Sequence, residues 1–145
     1  MALVLVVDDE QRVRQLLGEV IKNAGHEVLE ADCSDAALKV MEQRVADVVF
    51  TDVQMPGHDG RWLAVELRKR YAATAVVLAT AVSDVEPTIT LRFGVVSYLL
   101  KPFEMPKVTA ALKLAVDWHN ETVAQGSQQV EGERLEQWLD SLELL

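Results

Sequence analysis

The feature that most constrains the fold of this chain is a repeated alternation between short apolar runs and segments with helical periodicity. Runs of five to seven residues that are apolar on both faces are typical of strands buried within a parallel sheet. Such runs occur, with the second weaker than the others, at residues 3–7, 26–31, 47–52, 75–80 and 97–103. Five β/α units of this kind predict an α/β fold in which helices cover both faces of one five-stranded parallel sheet.

The segments between the runs predict amphipathic helices. The first lies at residues 10–25, where Gly25 marks the end and five apolar residues recur at helical spacing. These residues are Val13, Leu16, Leu17, Val20 and Ile21. Ser34 is a candidate N-cap for the second helix, because its hydroxyl can accept a hydrogen bond from a backbone N–H of the first turn. The later helices are predicted at residues 61–71, 84–93 and 104–123.

The residues after position 123 differ in composition from the rest of the chain. Residues 124–132 are mostly polar and predict a flexible linker, whereas residues 133–145 predict a short amphipathic helix with an apolar stripe around Trp138. We therefore divide the chain into a domain at 1–123, a linker and an extra C-terminal helix. We expect that helix to pack on its own domain, to dimerise with a second copy, or to begin an output region that is absent from this sequence.

The charge balance argues against direct binding to nucleic acid. The 145 residues contain 23 Asp and Glu but 14 Lys and Arg, which gives a formal net charge of −9, whereas phosphate contacts need a basic surface. No apolar run approaches the roughly 20 residues of a membrane span, and the acidic start does not resemble a secretory signal. The single cysteine, Cys33, excludes an internal disulfide. We expect a cytoplasmic protein, away from the membrane, whose partners are proteins or cations.

Charged or hydroxyl-bearing residues lie at or just beyond the carboxyl end of four of the five predicted strands. They are Asp8 and Asp9 after the first run, Asp52 after the third, Thr80 at the end of the fourth, and Lys101 in the fifth. In an open parallel sheet, ligands bind beyond the carboxyl ends of the strands. The sequence therefore predicts three carboxylates, one hydroxyl and one ammonium at a single edge of the sheet.

Three neighbouring carboxylates repel each other unless a cation lies among them. Oxygen ligands with few carboxylates suit Mg²⁺, which takes about six oxygens and retains several waters. We expect Asp9 and Asp52 to bind the ion directly and Asp8 to act through water, with a backbone carbonyl from residues 52–54. Taken alone, Asp8 or Asp9 has a simpler interpretation as the N-cap of the first helix.

A metal site that faces a lysine and a hydroxyl is suited to a phosphoryl group. Lys101 would neutralise phosphoryl oxygens together with the metal, while one carboxylate oxygen attacks phosphorus in line. Asp52 is the best candidate for that nucleophile, because it stands alone at a strand end rather than in the acidic pair. Thr80 supplies the nearby hydroxyl.

The segments that carry these residues resemble the receiver domain of response regulators in two-component signalling. They are, in order, VVDDE, VVFTDVQMPGHDG, LATA and YLLKPF, and the resemblance covers residues 1 to about 123. It implies a flavodoxin-like, doubly wound sheet with the strand order 2-1-3-4-5. It also implies a cis peptide bond between Lys101 and Pro102.

The resemblance implies a role for each residue of the predicted site. Asp52 would be the phosphoacceptor for a histidine kinase, and Lys101 would contact the phosphoryl group. Asp8 and Asp9 would hold Mg²⁺, with the backbone carbonyl of Gln54 as the third protein ligand. The protein would not be an enzyme, apart from catalysing its own phosphotransfer and a slow autodephosphorylation.

The resemblance also implies a conformational switch. Thr80 would move to the phosphoryl group and Tyr98 would change rotamer with it. This change would remodel the face formed by the fourth helix, the fifth strand and the fifth helix. Protein partners, or an output domain absent from this sequence, would then read the phosphorylated state.

Three other functions share parts of this pattern. One is a Mg²⁺-dependent phosphohydrolase with an aspartyl-phosphate intermediate, similar to the haloacid dehalogenases. Those enzymes place a second Asp, which acts as acid and base, two residues after the nucleophile, whereas this chain has Gln54 there. A flavodoxin-like FMN carrier would offer hydroxyls and amides in its first loop, whereas this chain has Asp-Asp-Glu. A degenerate, phosphate-independent receiver is the third, although all five expected side chains are present.

Overall fold

Strands and helices alternate along the chain in a computed structural model that describes residues 1–81 and 95–125. The strands are β1 (Leu3–Val7), β2 (Glu27–Ala31), β3 (Val48–Thr51), β4 (Ala75–Thr80) and β5 (Val95–Leu100). The helices are α1 (Gln11–Asn23), α2 (Ser34–Gln43), α3 (Gly60–Arg70) and α4 (Met105–Ala124). None of these described helices has both the length and the apolar character needed to cross a membrane. The helices predicted at 84–93 and 133–145, and residues 126–132 of the predicted linker, lie outside the described residues.

The five strands form one parallel sheet in the order β2-β1-β3-β4-β5, which confirms the predicted order. Two registers decide which residues meet at its carboxyl edge. Val7 at the end of β1 pairs with Thr51 at the end of β3, so the aspartates that follow leave the sheet side by side. Thr80 at the end of β4 pairs with Leu100 at the end of β5, so Lys101 begins next to Thr80.

Both faces of the sheet are buried along its three central strands, which explains why β1 is apolar throughout and why β3 and β4 are apolar up to the threonine that ends each of them. On β1, Val4 and Val6 pack with α1 and α4 on one face, whereas Leu5 and Val7 pack with α2 and α3 on the other. Phe50 on the central strand β3 is fully buried in the first of these clusters. The site at the carboxyl edge therefore rests on a sheet that is covered on both sides.

The fifth strand differs from its prediction at both ends. It runs from Val95 to Leu100 rather than over residues 97–103. It ends early because Lys101 donates the last backbone hydrogen bond, to Thr80, and Pro102 has no N–H to continue the ladder. It begins early because Val95 pairs with Val76 of β4 before a shift in register.

The first helix buries a narrower set of residues than its periodicity predicts. Leu17 is 1% exposed within the cluster against β1, whereas Leu16 is 46% exposed. The five apolar residues span a wider arc of the helix than the sheet covers. Helical spacing alone therefore does not distinguish Leu16 from the residues of α1 that pack on the sheet.

These adjacent leucines provide a matched pair for measuring the cost of burial. We expect Leu17→Ala to lower the free energy of unfolding by about 2–5 kcal/mol, because it removes fully buried methyl groups and leaves a cavity. Leu16→Ala should lower it by less than about 1 kcal/mol, because that side chain is half in solvent. Urea denaturation followed by circular dichroism measures both. Equal losses for the two variants would contradict the packing described for α1.

Candidate functional site

Side chains from three strand ends meet at the carboxyl edge of the sheet. Asp8 follows β1, Asp52 follows β3 and Lys101 follows β5. The ammonium nitrogen Nζ of Lys101 lies 2.8 Å from Oδ2 of Asp8 and 3.2 Å from Oδ2 of Asp52. Lys101 thus reaches past the end of β4, which lies between β3 and β5, and contacts both acids.

Asp9 completes an acidic cluster with Asp8 and Asp52. One carboxylate oxygen from each residue lies within 4.8 Å of the others, so the three could share one ion. Asp8 and Asp52 are buried, at 1% and 6% exposure, whereas Asp9 is exposed and leaves the cluster open on one side. With all three acids ionised and Lys101 charged, the group carries two more negative than positive charges. An all-oxygen donor set of that charge fits a hard divalent cation such as Mg²⁺.

The charges of Asp8 and Lys101 depend on each other. Burial raises the pKa of Asp8, and hydrogen bonds from Lys101 and from the backbone N–H of Glu10 offset only part of that rise. Burial lowers the pKa of Lys101, but its hydrogen bond to Asp8 and the charge of Asp52 outweigh that effect and raise the pKa overall. Lys101 is therefore a resident positive charge among the acids.

Asp8 is fixed through its main chain as well as its side chain. Its N–H donates to the carbonyl of Ala31 at 3.2 Å, and its Oδ1 accepts from the N–H of Glu10 at 2.9 Å. Its carbonyl accepts a 2.6 Å hydrogen bond from Nη1 of Arg14. The N-cap position of α1 is held by Glu10, so the interpretation of Asp8 or Asp9 as that cap is wrong. Arg14 has no signal in the sequence beyond its place one turn after Glu10.

The loop after Asp52 is held against α3 at a glycine. The N–H of Gly60 donates to the carbonyl of Val53 at 2.8 Å. A Cβ atom placed on Gly60 would lie 1.9 Å from the carbonyl oxygen of Asp52, a distance that real atoms do not reach. Gly60 is therefore required by the close approach of α3 to the Asp52 backbone.

Ser34 supports the same loop from α2 and is not the N-cap that its position predicts. Cys33 occupies the N-cap of α2, and its Sγ accepts from the N–H of Ala36 at 3.4 Å. The buried hydroxyl of Ser34 instead donates to the carbonyl of His58 at 2.9 Å. Ser34, the first residue of α2, thus connects this helix by a hydrogen bond to the loop that follows Asp52.

The remaining predicted residues lie around this cluster. Thr80 is 1% exposed at the end of β4, and its carbonyl accepts from the N–H of Lys101 at 2.8 Å. Gln54 is exposed two residues after Asp52. Tyr98 is 37% exposed on β5, three residues before Lys101. The peptide bond between Lys101 and Pro102 is cis, as the resemblance implied.

Known proteins match this chain in sequence and in fold. Residues 4–113 match the response regulator receiver domain. The response regulator protein FleR of Pseudomonas aeruginosa is 38% identical over 104 residues, which are 71% of this chain and 22% of FleR. The match therefore spans only about a fifth of the length of this curated relative.

Two solved structures illustrate the likeness in fold. A response regulator receiver domain protein from Clostridium thermocellum is 30% identical with a TM-score of 0.74, and the match covers 81% of this chain and 95% of that one. The response regulator TrrA from Thermotoga maritima, solved in complex with Mg²⁺ and BeF, is 31% identical with a TM-score of 0.73. That match covers 79% of this chain and 99% of TrrA.

Gly60 and Gly18 form a matched pair that tests the close approach. We expect Gly60→Ala to lower the free energy of unfolding by about 1–3 kcal/mol, because the new methyl group displaces the backbone of Asp52. Gly18→Ala in α1 should raise it by about 0.5–1 kcal/mol, because the new Cβ meets only Val28, at an ordinary 3.7 Å. Chemical denaturation measures both. A neutral Gly60→Ala would show that α3 can move away from Asp52 at no cost.

The raised pKa of Asp8 predicts that its charge destabilises the protein when no divalent cation is bound. A carboxyl that binds its proton more tightly in the folded state loses stability as the pH rises above its unfolded pKa of 3.8. Asp8→Asn, which resembles the protonated acid, should therefore unfold at a higher urea concentration than the wild type at pH 7 in EDTA. This gain should shrink as the pH falls toward 3.8. A gain that is independent of pH, or a loss at pH 7, would contradict this account.

Proposed function

The chain belongs to the family of response regulator receiver domains, and on that premise we propose that it is a phosphorylation-controlled switch in two-component signalling. Asp52 accepts a phosphoryl group from a histidine kinase, and the modified domain then binds protein partners differently. The observation that carries the proposal is the contact of Lys101 with Asp52, at 3.2 Å, beside the acidic pair Asp8 and Asp9. A buried nucleophile, a cation for the phosphoryl oxygens and a metal-binding pair are the parts that the reaction needs.

We propose that Asp8, Asp9 and Asp52 hold Mg²⁺, together with the backbone carbonyl of Gln54. The close carboxylate oxygens and their excess negative charge support this assignment, as does the complex of the similar protein TrrA with Mg²⁺ and BeF. When bound, the ion supplies positive charge to the phosphoryl oxygens. The exposed side of the cluster at Asp9 leaves a route by which cation and phosphodonor enter.

Asp52 is the nucleophile in this proposal. Its carboxylate oxygen attacks phosphorus in line, so that an O–P bond forms as the P–N bond to the histidine of the kinase breaks. Lys101 then exchanges its hydrogen bond to the Asp52 carboxylate for one to a phosphoryl oxygen. The backbone of Asp52 stays in place during this exchange because α3 packs directly on it at Gly60.

We propose that Thr80 and Tyr98 transmit the modification. Thr80 is buried beside the backbone of Lys101, so its hydroxyl can turn toward a new phosphoryl group. Tyr98 lies on β5, the strand that leads directly to Lys101, and it is partly exposed, so it has space for a second rotamer. A coupling of about 1–3 kcal/mol between the two sites changes partner affinity about 5- to 150-fold.

The proposed organisation is a receiver domain at residues 1–123, a linker at 124–132 and a helix at 133–145 that dimerises or leads to an output region. Helix α4, which ends at Ala124, supports the first boundary. The greater length of FleR supports an output region beyond the receiver domain. The partners in this scheme are a cytoplasmic histidine kinase domain and a protein output partner.

Phosphotransfer to Asp52 is tested by incubating the full chain with acetyl phosphate and Mg²⁺ and measuring the intact mass. We expect the wild type to gain one phosphoryl group, and Asp52→Asn to gain none because the amide is not a nucleophile. Asp59→Asn is the matched control. It changes an aspartate in the same loop that caps α3 through Oδ1, a role that asparagine also fills, so it should gain the group as the wild type does.

Two results would contradict the proposal. A phosphoryl group that is still gained by Asp52→Asn would identify a different acceptor. A wild-type protein that stays unmodified at millimolar Mg²⁺ would favour a phosphate-independent receiver. Addition of EDTA should abolish the gain in the wild type and in Asp59→Asn alike.

A further inference from the structure

We propose that Arg14 is a positioning residue for the metal site, which holds the Asp8–Asp9 peptide in the orientation that presents the Asp9 carboxylate. This inference rests on the proposed function of the acidic cluster. Arg14 lies in the second turn of α1, and its guanidinium does not contact the carboxylates of the acidic cluster. Its guanidinium instead contacts the main-chain carbonyl of Asp8 at 2.6 Å and the carboxylate of Glu30 at 3.3 Å.

Peptide geometry explains how a bond to one residue positions the next. The carbonyl of Asp8 and the nitrogen of Asp9 belong to the same planar peptide group. A donor that fixes the Asp8 carbonyl therefore fixes the direction in which the Asp9 backbone leaves. Asp9 is exposed and follows directly, so the orientation of this peptide decides where its carboxylate lies.

Arg14 supplies the one anchor of Asp8 that comes from a side chain of α1. The N–H of Asp8 is held by Ala31, and its two carboxylate oxygens are held by Glu10 and Lys101. These three anchors set the side chain and the entry of the loop. The carbonyl, which is the part that leads to Asp9, depends on Arg14.

The two contacts of Arg14 differ in strength. Its side chain is 16% exposed, and the short hydrogen bond to the Asp8 carbonyl is assisted by the guanidinium charge. The side chain of Glu30 is 48% exposed, and an ion pair at such a site contributes little. Glu30 orients the guanidinium, while the bond to Asp8 carries the effect on the site.

The two possible effects of Arg14, as a positioning residue and as a positive charge, predict opposite changes in Mg²⁺ affinity when Arg14 is replaced. As a remote positive charge, Arg14 repels a divalent cation, so its removal would tighten binding. As a positioning residue, Arg14 keeps Asp9 in place, so its removal would weaken binding. Loss of a group that orients a metal ligand costs about 10- to 100-fold in affinity.

The experiment measures the Mg²⁺ dissociation constant of the full chain by isothermal titration calorimetry. We expect Arg14→Met to bind Mg²⁺ about tenfold more weakly than the wild type. Arg14→Lys keeps the charge and one donor, and should lie between the two. Arg12→Met and Arg12→Lys are matched controls, because Arg12 is an exposed arginine in the first turn of the same helix and undergoes the same two changes of side chain. Both should bind within about twofold of the wild type, since surface changes of this kind have small effects.

Thermal unfolding of each variant separates an effect on the site from an effect on the fold. If Arg14→Met does not fold, the comparison of Arg14→Lys with Arg12→Lys decides, with weaker binding expected only for the former. Unchanged or tighter Mg²⁺ binding by a folded Arg14→Met overturns the inference and leaves the proposed function intact. Absence of Mg²⁺ binding by the wild type overturns both.

Discussion

The hydrogen-bonded contact of one ammonium with two buried carboxylates is the interaction on which the carboxyl edge of the sheet depends. Asp8 and Asp52 are almost fully removed from water, and charges in that position are costly unless they are paired. Lys101 pairs with both because the register of β1 and β3 places their ends together and β5 delivers the lysine from the far side of β4. One cation for three acids leaves negative charge in excess, and that excess is the physical basis for a divalent ion at this edge.

The architecture follows from local sequence because burial on both sheet faces leaves a strong pattern. A strand such as Val48–Thr51, with no polar residue until its end, has few places in a small α/β domain other than the centre of a parallel sheet. The ends of the elements, and the face that a helix buries, were less predictable because neighbouring elements decide them. Leu16 is exposed since the sheet covers only part of α1, and β5 starts at Val95 because β4 offers a partner there. Neither fact is encoded in the periodicity of the segment itself.

The residues of the site also differ in how far the sequence predicts them. The reactive side chains were predictable, whereas the residues that hold the main chain in place were not. Asp8, Asp52 and Lys101 were predictable because acids and bases directly after apolar runs are conspicuous and the sheet brings strand ends together. Arg14 and Gly60 were missed, and Ser34 was assigned the wrong role, because each contacts a backbone carbonyl, and a carbonyl acceptor has no signature in the sequence. The supporting layer of a site is therefore harder to predict than its reactive residues, even when it is close to them.

The contact that stabilises the acidic edge is also the one that the proposed reaction disturbs. Lys101 binds Asp8 and Asp52 through Nζ and Thr80 through its backbone N–H. A phosphoryl group on Asp52 offers Nζ a stronger partner, since its oxygens carry more charge than a carboxylate. The Lys101 side chain cannot reorient without altering its bond to Asp8, and Lys101 directly follows β5, three residues after Tyr98. The lysine that neutralises the acids would thus be the first element of the switch, because one side chain links the chemistry to the strand that carries the response.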